Sequence, residues 1–247
     1  MRGYFLDVQG TLIDDKDFLP LPGAVEFTKY LKENNIPFVL LTNNTKRDDF
    51  REYLKSLGFE FDNYLDPLMM LDSVKGSVAP FGNEKFVEIV KKKFEIDYNN
   101  PKNVILGIKL FSNEEIADII EMLLRGANLI GMHKTSLYHK NNRRYPGLGA
   151  VLEMLKYATN RDYSVIGKPS EKFFKRAADM IGLSFDKITI ISDDLKGDLL
   201  PAMKLGMEGI LVLSGKVKSQ KEITTKPHKI FKNIGEYLEF IRAKKRD

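Results

Sequence analysis

Tyr4-Phe5-Leu6-Asp7-Val8-Gln9-Gly10-Thr11-Leu12 is an apolar run that ends in a carboxylate and passes at once into Gly and Thr. Such a run suits a buried parallel strand that carries one acidic side chain to the end of a sheet. An Asp in this place serves equally as the first residue of a turn. The stretch alone leaves both readings of Asp7 open, and the rest of the chain has to choose.

Outward from it, Pro22-Gly23 opens a helix with Val25, Phe27, Tyr30 and Leu31, and Asn34-Asn35 ends it. A second apolar run, Pro37 to Leu41, stops at Thr42-Asn43-Asn44-Thr45, four small polar residues able to cradle an anion. The next helix spaces Phe50, Tyr53, Leu54 and Leu57 at i, i+3, i+4 and i+7, and Gly58 stops it. From Asp66 to Pro146 the alternation recurs on a smaller scale. It has an apolar piece near Val78, a helix with Phe86, Val90 and Phe94, and a strand Val104 to Ile108. A helix with Ser112 and Glu115 at capping-box spacing and a strand Asn128 to Met132 follow. His133 to Arg144 is polar and basic, as a loop near an anionic ligand would be. The main pattern resumes with Leu148, Val151, Leu152 and Leu155 on a helix, and Tyr163 to Gly167 runs into Lys168-Pro169-Ser170. A further apolar strand, Ile188 to Ile191, ends in Ser192-Asp193-Asp194. A helix from Gly197 to Leu205, a strand Gly209 to Leu213 and a helix around Tyr237, Leu238 and Ile241 complete the pattern.

At 247 residues the chain holds one core, or a core plus a smaller inserted lobe. Strands alternating with helices predict an α/β fold, a doubly wound parallel sheet. The βα units of the middle segment predict an inserted α/β domain, 66–146, within a core of 1–65 and 147–247. No Cys is present, which excludes disulfides, thiolate metal sites and thiol nucleophiles, and three His make zinc a poor fit. The net charge of +5 is spread along the helices among nearly as many acids, and Lys91-Lys92-Lys93 and Lys244-Lys245-Arg246 read as solvated faces. Neither nucleic acid nor membrane is therefore an expected partner: no apolar run approaches the roughly 18 residues of a membrane helix. With a core strand so near the N-terminus there is no room for a signal peptide, so a cytoplasmic location is expected.

In a doubly wound sheet, ligands sit outside the carboxyl ends of the strands. Here those ends carry Asp7, Thr42-Asn43 and Asp193-Asp194, and a shorter run ends just before Lys168. Brought together, they offer carboxylates for a hard cation, with a lysine, a hydroxyl and backbone N–H groups for an anion, a set suited to Mg2+ and phosphate.

Asp7-x-x-Gly10-Thr11-Leu12, Thr42-Asn43-Asn44, Gly167-Lys168-Pro169 and Asp193 to Asp198 resemble, in order, the four motifs of the haloacid dehalogenase superfamily. The insertion between the second and third motifs resembles the cap of the NagD-like and 4-nitrophenylphosphatase group. Met132-His133-Lys134 is most similar to the branch containing phospholysine phosphohistidine inorganic pyrophosphate phosphatase. The resemblance implies a Mg2+-dependent hydrolase of small phosphorylated substrates. In it Asp7 is the nucleophile that forms an aspartyl-phosphate, and Asp7, Asp193 and the backbone carbonyl of Gln9 hold Mg2+. Thr42, Asn43, Asn44 and Lys168 bind phosphate oxygens, and Asp198 supports the site from behind.

One position departs from the pattern. Gln9 stands where the superfamily's phosphatases carry the Asp that protonates the leaving group and later activates water. An amide cannot shuttle a proton at neutral pH. Two consequences compete: an enzyme restricted to good leaving groups, such as aryl or acyl phosphates, phosphoramidates or pyrophosphate, or an attenuated module that binds a phosphorylated ligand or a protein partner. Oligomeric state stays open, with the α/β lobe as a surface on which a homodimer can form.

Overall fold

The computed structural model describes residues 2–140, 143–223 and 225–244. In chain order its strands are β1 (Gly3–Asp7), β2 (Phe38–Leu41), β3 (Asn63–Leu65), β4 (Val78–Phe81), β5 (Asn103–Leu106) and β6 (Asn128–Gly131). These are followed by β7 (Leu137–Lys140), β8 (Arg143–Pro146), β9 (Tyr163–Val165), β10 (Ile188–Ser192), β11 (Glu208–Val212) and β12 (Lys229–Phe231). By contact density the chain divides into two units: Met1–Thr42, Asp49–Leu65 and Phe174–Asp247 form one, Asn43–Asp48 and Asp66–Phe173 the other.

The first unit is built on a six-stranded sheet in the order β12-β11-β10-β1-β2-β3, parallel throughout. The strands are apolar because they are covered: β1, β2 and β10 are buried almost end to end. Helix Ala24–Glu33 turns Ala24, Phe27, Tyr30 and Leu31 into the same core as Leu6, Leu40, Ile191 and Tyr237. Each large apolar side chain so buried contributes about 1.5–3 kcal/mol before entropy is charged against it. The strand order reverses between β1 and β10, and that reversal is where a doubly wound sheet opens a crevice at its carboxyl end. The register sets Leu6 beside Ile191, so Asp7 and Ser192 leave the sheet side by side.

The second unit has its own core around a parallel sheet, β4-β5-β6-β9, and an antiparallel pair, β7-β8. Helix Asn113–Leu124 begins with the expected capping box, Ser112 Oγ accepting from Glu115 N at 3.2 Å and Glu115 Oε2 from Ser112 N at 3.0 Å.

Three expectations need correction here. Tyr163 to Val165 does not join the main sheet: it pairs with Leu129 to Gly131 as β9. Helix Leu148–Thr159 buries Leu148, Val151, Leu152 and Leu155 in the second core, so that lobe runs on to Phe173 rather than stopping at 146. The reason is a close approach: Leu152 lies so near Gly131 that any Cβ there would run into it, which seats the helix directly on β6. The third correction is to the stretch His133 to Arg144, which holds β7 and the start of β8, its antiparallel partner, rather than a simple loop. Residues 141 and 142 of that stretch, like Lys245 and Arg246 of the C-terminal basic run, lie outside the described residues. Among the described residues no helix is long and apolar enough to cross a membrane.

Candidate active site

Beyond β1 the chain makes a tight turn in which Leu12 N and Ile13 N both close on Val8 O, at 2.8 and 3.0 Å. Gly10 takes φ +79°, a region open to glycine at little cost. The turn delivers Thr11, and one oxygen of Thr11 links the Asp7 carboxylate to the main chain of Asp193. Its Oγ1 donates to Asp7 Oδ2 at 3.3 Å and accepts from Asp193 N at 3.1 Å. Asp193 is 1% exposed and Asp7 6%. Asp193 is boxed in: a Cβ on Gly10 or on Gly215 would lie 2.5 Å from its Cγ, and Lys216 N donates to its Oδ2 at 2.6 Å. Burial, and then the neighbouring Asp7, push the Asp193 carboxyl well above the ordinary carboxylate range. A buried acid whose charge is opposed by a neighbouring acid is part of a donor set that a divalent cation relieves. Among the described residues no group of three or more His, Cys, Asp or Glu side chains could hold a metal ion. Mg2+ asks for less, because it keeps several waters and binds through one or two carboxylates. The two buried carboxylates, Asp7 and Asp193, meet that lesser demand.

Gln9 and Thr42 meet across adjacent strand ends, Thr42 Oγ1 donating to Gln9 Oε1 at 2.7 Å. Thr42 N extends the β2-β3 ladder by donating to Leu65 O at 3.2 Å. On the far side, Ser192 Oγ donates to Asp198 Oδ2 at 2.8 Å, and Asp198 is 2% exposed on the π-helical turn Leu195–Leu199. Asp194 caps that turn by accepting from Gly197 N at 2.7 Å, and it pairs with Lys216. Desolvation pulls the Lys216 ammonium down, but Asp194, Asp193 and Asp198 outweigh it and raise its pKa above that of an ordinary lysine.

The remaining predicted residues belong to the second unit. Asn43 Oδ1 accepts from Lys168 N at 3.0 Å, and Lys168 O accepts from Lys134 N at 3.2 Å. The Lys168 backbone is thus held on both sides, with the residue 2% exposed. Asn44 Nδ2 donates to Arg47 O at 2.7 Å and its Oδ1 accepts from Lys46 N at 3.2 Å, which folds the turn after Thr42 on itself. His133 is buried, with Nδ1 accepting from Thr135 N at 3.4 Å.

The structure therefore joins Asp7 to Asp193 through Thr11, Gln9 to Thr42, and Asn43 to Lys168, while Asp198 bonds to Ser192. Gly215, Lys216 and Ser192 take part without having been singled out for it. Lys216 acts on Asp193 through the charge of its ammonium and through its backbone N–H, and one lysine after a strand is no mark of either.

Two family models match the chain, one described as haloacid dehalogenase-like hydrolase over residues 4–92 and one as HAD-hydrolase-like over residues 165–237. The chain is similar to haloacid dehalogenase-like hydrolase domain-containing protein 2 of Bos taurus, with 29% identity over 92% of this chain and 90% of the relative. It is similar to phospholysine phosphohistidine inorganic pyrophosphate phosphatase of Mus musculus, with 27% identity over 90% of this chain and 86% of the relative. Among solved structures it resembles 4-nitrophenylphosphatase of Thermotoga maritima, with a TM-score of 0.83 and 25% identity over 97% of each chain.

Proposed function

Because this chain belongs to the haloacid dehalogenase-like hydrolases, we propose that it is a Mg2+-dependent phosphatase acting on small phosphorylated substrates through an aspartyl-phosphate on Asp7. The observation that carries the reading is the pairing of Asp7 with Asp193 through Thr11 Oγ1, at the point where the strand order of a parallel sheet reverses. Asp7, Asp193 and the Gln9 carbonyl would hold the Mg2+ ion, which would supply positive charge to the phosphoryl oxygens. Asp7 then acts as nucleophile from a fixed position, held by Thr11. In this reading the N–H groups of Asn43 and Asn44 and the Lys168 ammonium take the phosphoryl oxygens, while the Thr42 hydroxyl, expected there too, is given to Gln9 Oε1. Asp198, bonded to Ser192, holds the end of β10 in place behind Asp193. The second unit serves as the cap that selects the substrate.

Gln9 decides the substrate class. Without a carboxyl there, general acid–base help worth roughly 10²–10⁴-fold is missing, so the substrates are those whose leaving group needs little protonation. The mouse relative takes its name from a phosphorylated lysine, a phosphorylated histidine and pyrophosphate, which carry P–N or anhydride bonds of that activated kind. The same Gln9 favours a second reading, an attenuated module that only binds a phosphorylated ligand. Hydrolysis of 4-nitrophenyl phosphate in the presence of Mg2+ separates the two. Turnover that disappears in Asp7→Asn supports the phosphatase; equal rates in wild type and mutant remove Asp7 from the nucleophile's role, and no turnover in either leaves the binding module.

A further inference from the structure

Gln9 sits two residues past Asp7 in a turn with little freedom, where Gly10 N donates to Ile13 O at 2.7 Å. Its side chain is held as well, because Thr42 Oγ1 donates to Gln9 Oε1 at 2.7 Å. A primary amide carries one acceptor oxygen and, on the opposite arm of a planar group, two N–H donors. With Thr42 Oγ1 donating to the oxygen arm, the two donors lie on the other side. Among the described residues Gln9 makes no further side-chain hydrogen bond, and the residue is partly exposed. Two N–H groups, oriented in advance and unspent on protein, are therefore open beside the nucleophile's loop. Donors fixed before reaction are what stabilise an oxygen that gains charge during it.

We propose that Gln9 is a hydrogen-bond donor to the leaving oxygen, which extends a site for aryl phosphates, acyl phosphates and phosphoric anhydrides toward the more basic of the leaving groups that depart as anions. The proposal rests on the phosphatase reading above and assigns to Gln9 a positive role in place of a lost one. As Asp7 Oδ bonds to phosphorus, the bond from phosphorus to the leaving oxygen breaks and its electron pair stays on that oxygen. A Gln9 N–H bonds to this oxygen as its charge grows and keeps its proton, and the departed anion takes a proton from water. Water then adds to phosphorus, the bond to Asp7 Oδ breaks with its electron pair returning to the carboxylate, and the water's proton passes to solvent. No proton moves through the amide in either half. Thr42 acts through Gln9 as a positioning residue.

The test is the dependence of kcat/KM on leaving-group basicity. Wild type, Gln9→Leu and Gln9→Met are assayed with Mg2+ on aryl phosphates whose phenols span several pKa units. Methionine keeps the length of glutamine without its donors, and the rates read are those of whichever variant retains the wild-type unfolding midpoint. Loss of an oxyanion donor costs roughly 10²–10³-fold in a fully closed site, and a fall of at least about 10-fold is expected here. The fall should grow as the phenol becomes more basic, so that the plot of log kcat/KM against phenol pKa steepens. An unchanged slope in the Gln9 variants, beside an active wild type, overturns the donor role and leaves the phosphatase standing. A wild type that hydrolyses no aryl phosphate overturns both.

Discussion

Gly10 and Asp193 are in contact to the exclusion of any side chain: a Cβ on Gly10 would lie 2.5 Å from Cγ of the aspartate. The same glycine has φ +79°, which strains an L residue whatever the space around it. Gly10→Ala is therefore expected to lose stability by more than about 1 kcal/mol and to displace Asp193 from Thr11 and Lys216. Urea unfolding reads the first effect, and Mg2+ affinity measured by calorimetry reads the second. A variant with the wild-type midpoint and wild-type Mg2+ binding would show that the close packing of the turn on Asp193 is dispensable.

The hairpin that follows the turn answers to pH through Asp14. Asp14 Oδ1 accepts from Lys16 N at 2.9 Å and Asp17 N at 2.6 Å, and its Oδ2 accepts from Leu19 N at 2.8 Å. Partial burial works against the charged form, but the backbone N–H groups of Asp17, Leu19, Lys16 and Phe18 outweigh it and hold this carboxyl below its ordinary value. A folded-state pKa below the unfolded one means that the unfolded chain binds the proton first. The contribution of Asp14 is thus complete above the unfolded value of about 3.9 and is lost as pH falls through the lower, folded value. The amide resonances of Lys16, Asp17 and Leu19 should titrate together with a midpoint below about 3.9. In Asp14→Asn that common titration should vanish. A shared midpoint at or above the ordinary Asp value would contradict the assignment.

The positions of Asp7, Thr42 and Asp193 were legible because a strand buried on both faces is a continuous apolar run, and the run stops where the chain leaves the sheet. The capping box at Ser112 and Glu115 was legible because its two residue types carry the bonds themselves. Tyr163 to Val165 was harder. An apolar run tells that a strand is covered but not which sheet it joins, and that choice was made by the fit of Leu152 over Gly131, 21 residues apart in the chain. The turn at Gly215 and Lys216 was silent for a different reason. Its work on Asp193 is done by a missing Cβ, a main-chain N–H and the charge of one lysine among many, and a glycine after a strand ordinarily means no more than a turn.

Gln9→Asp sets the chemistry of the site against its present wiring. Aspartate is one methylene shorter, so Thr42 Oγ1 can no longer make the 2.7 Å bond it makes to Gln9 Oε1. In exchange the loop gains a group that can give a proton to the leaving oxygen and later take one from water. The gain should be selective. Alkyl phosphates, whose leaving oxygens depart poorly without a proton, should speed up by as much as about 10²-fold. 4-Nitrophenyl phosphate should change little, unless breakdown of the aspartyl-phosphate limits its turnover. In that case the wild type shows a burst of phenolate before slow turnover, and the variant shortens the slow phase. The pH profile for alkyl substrates should also acquire a falling basic limb, because the new acid works only while protonated. If the folded, Mg2+-binding variant leaves alkyl-phosphate rates where they were, position 9 does not reach the leaving oxygen. The proton would then have to come from another group or from water.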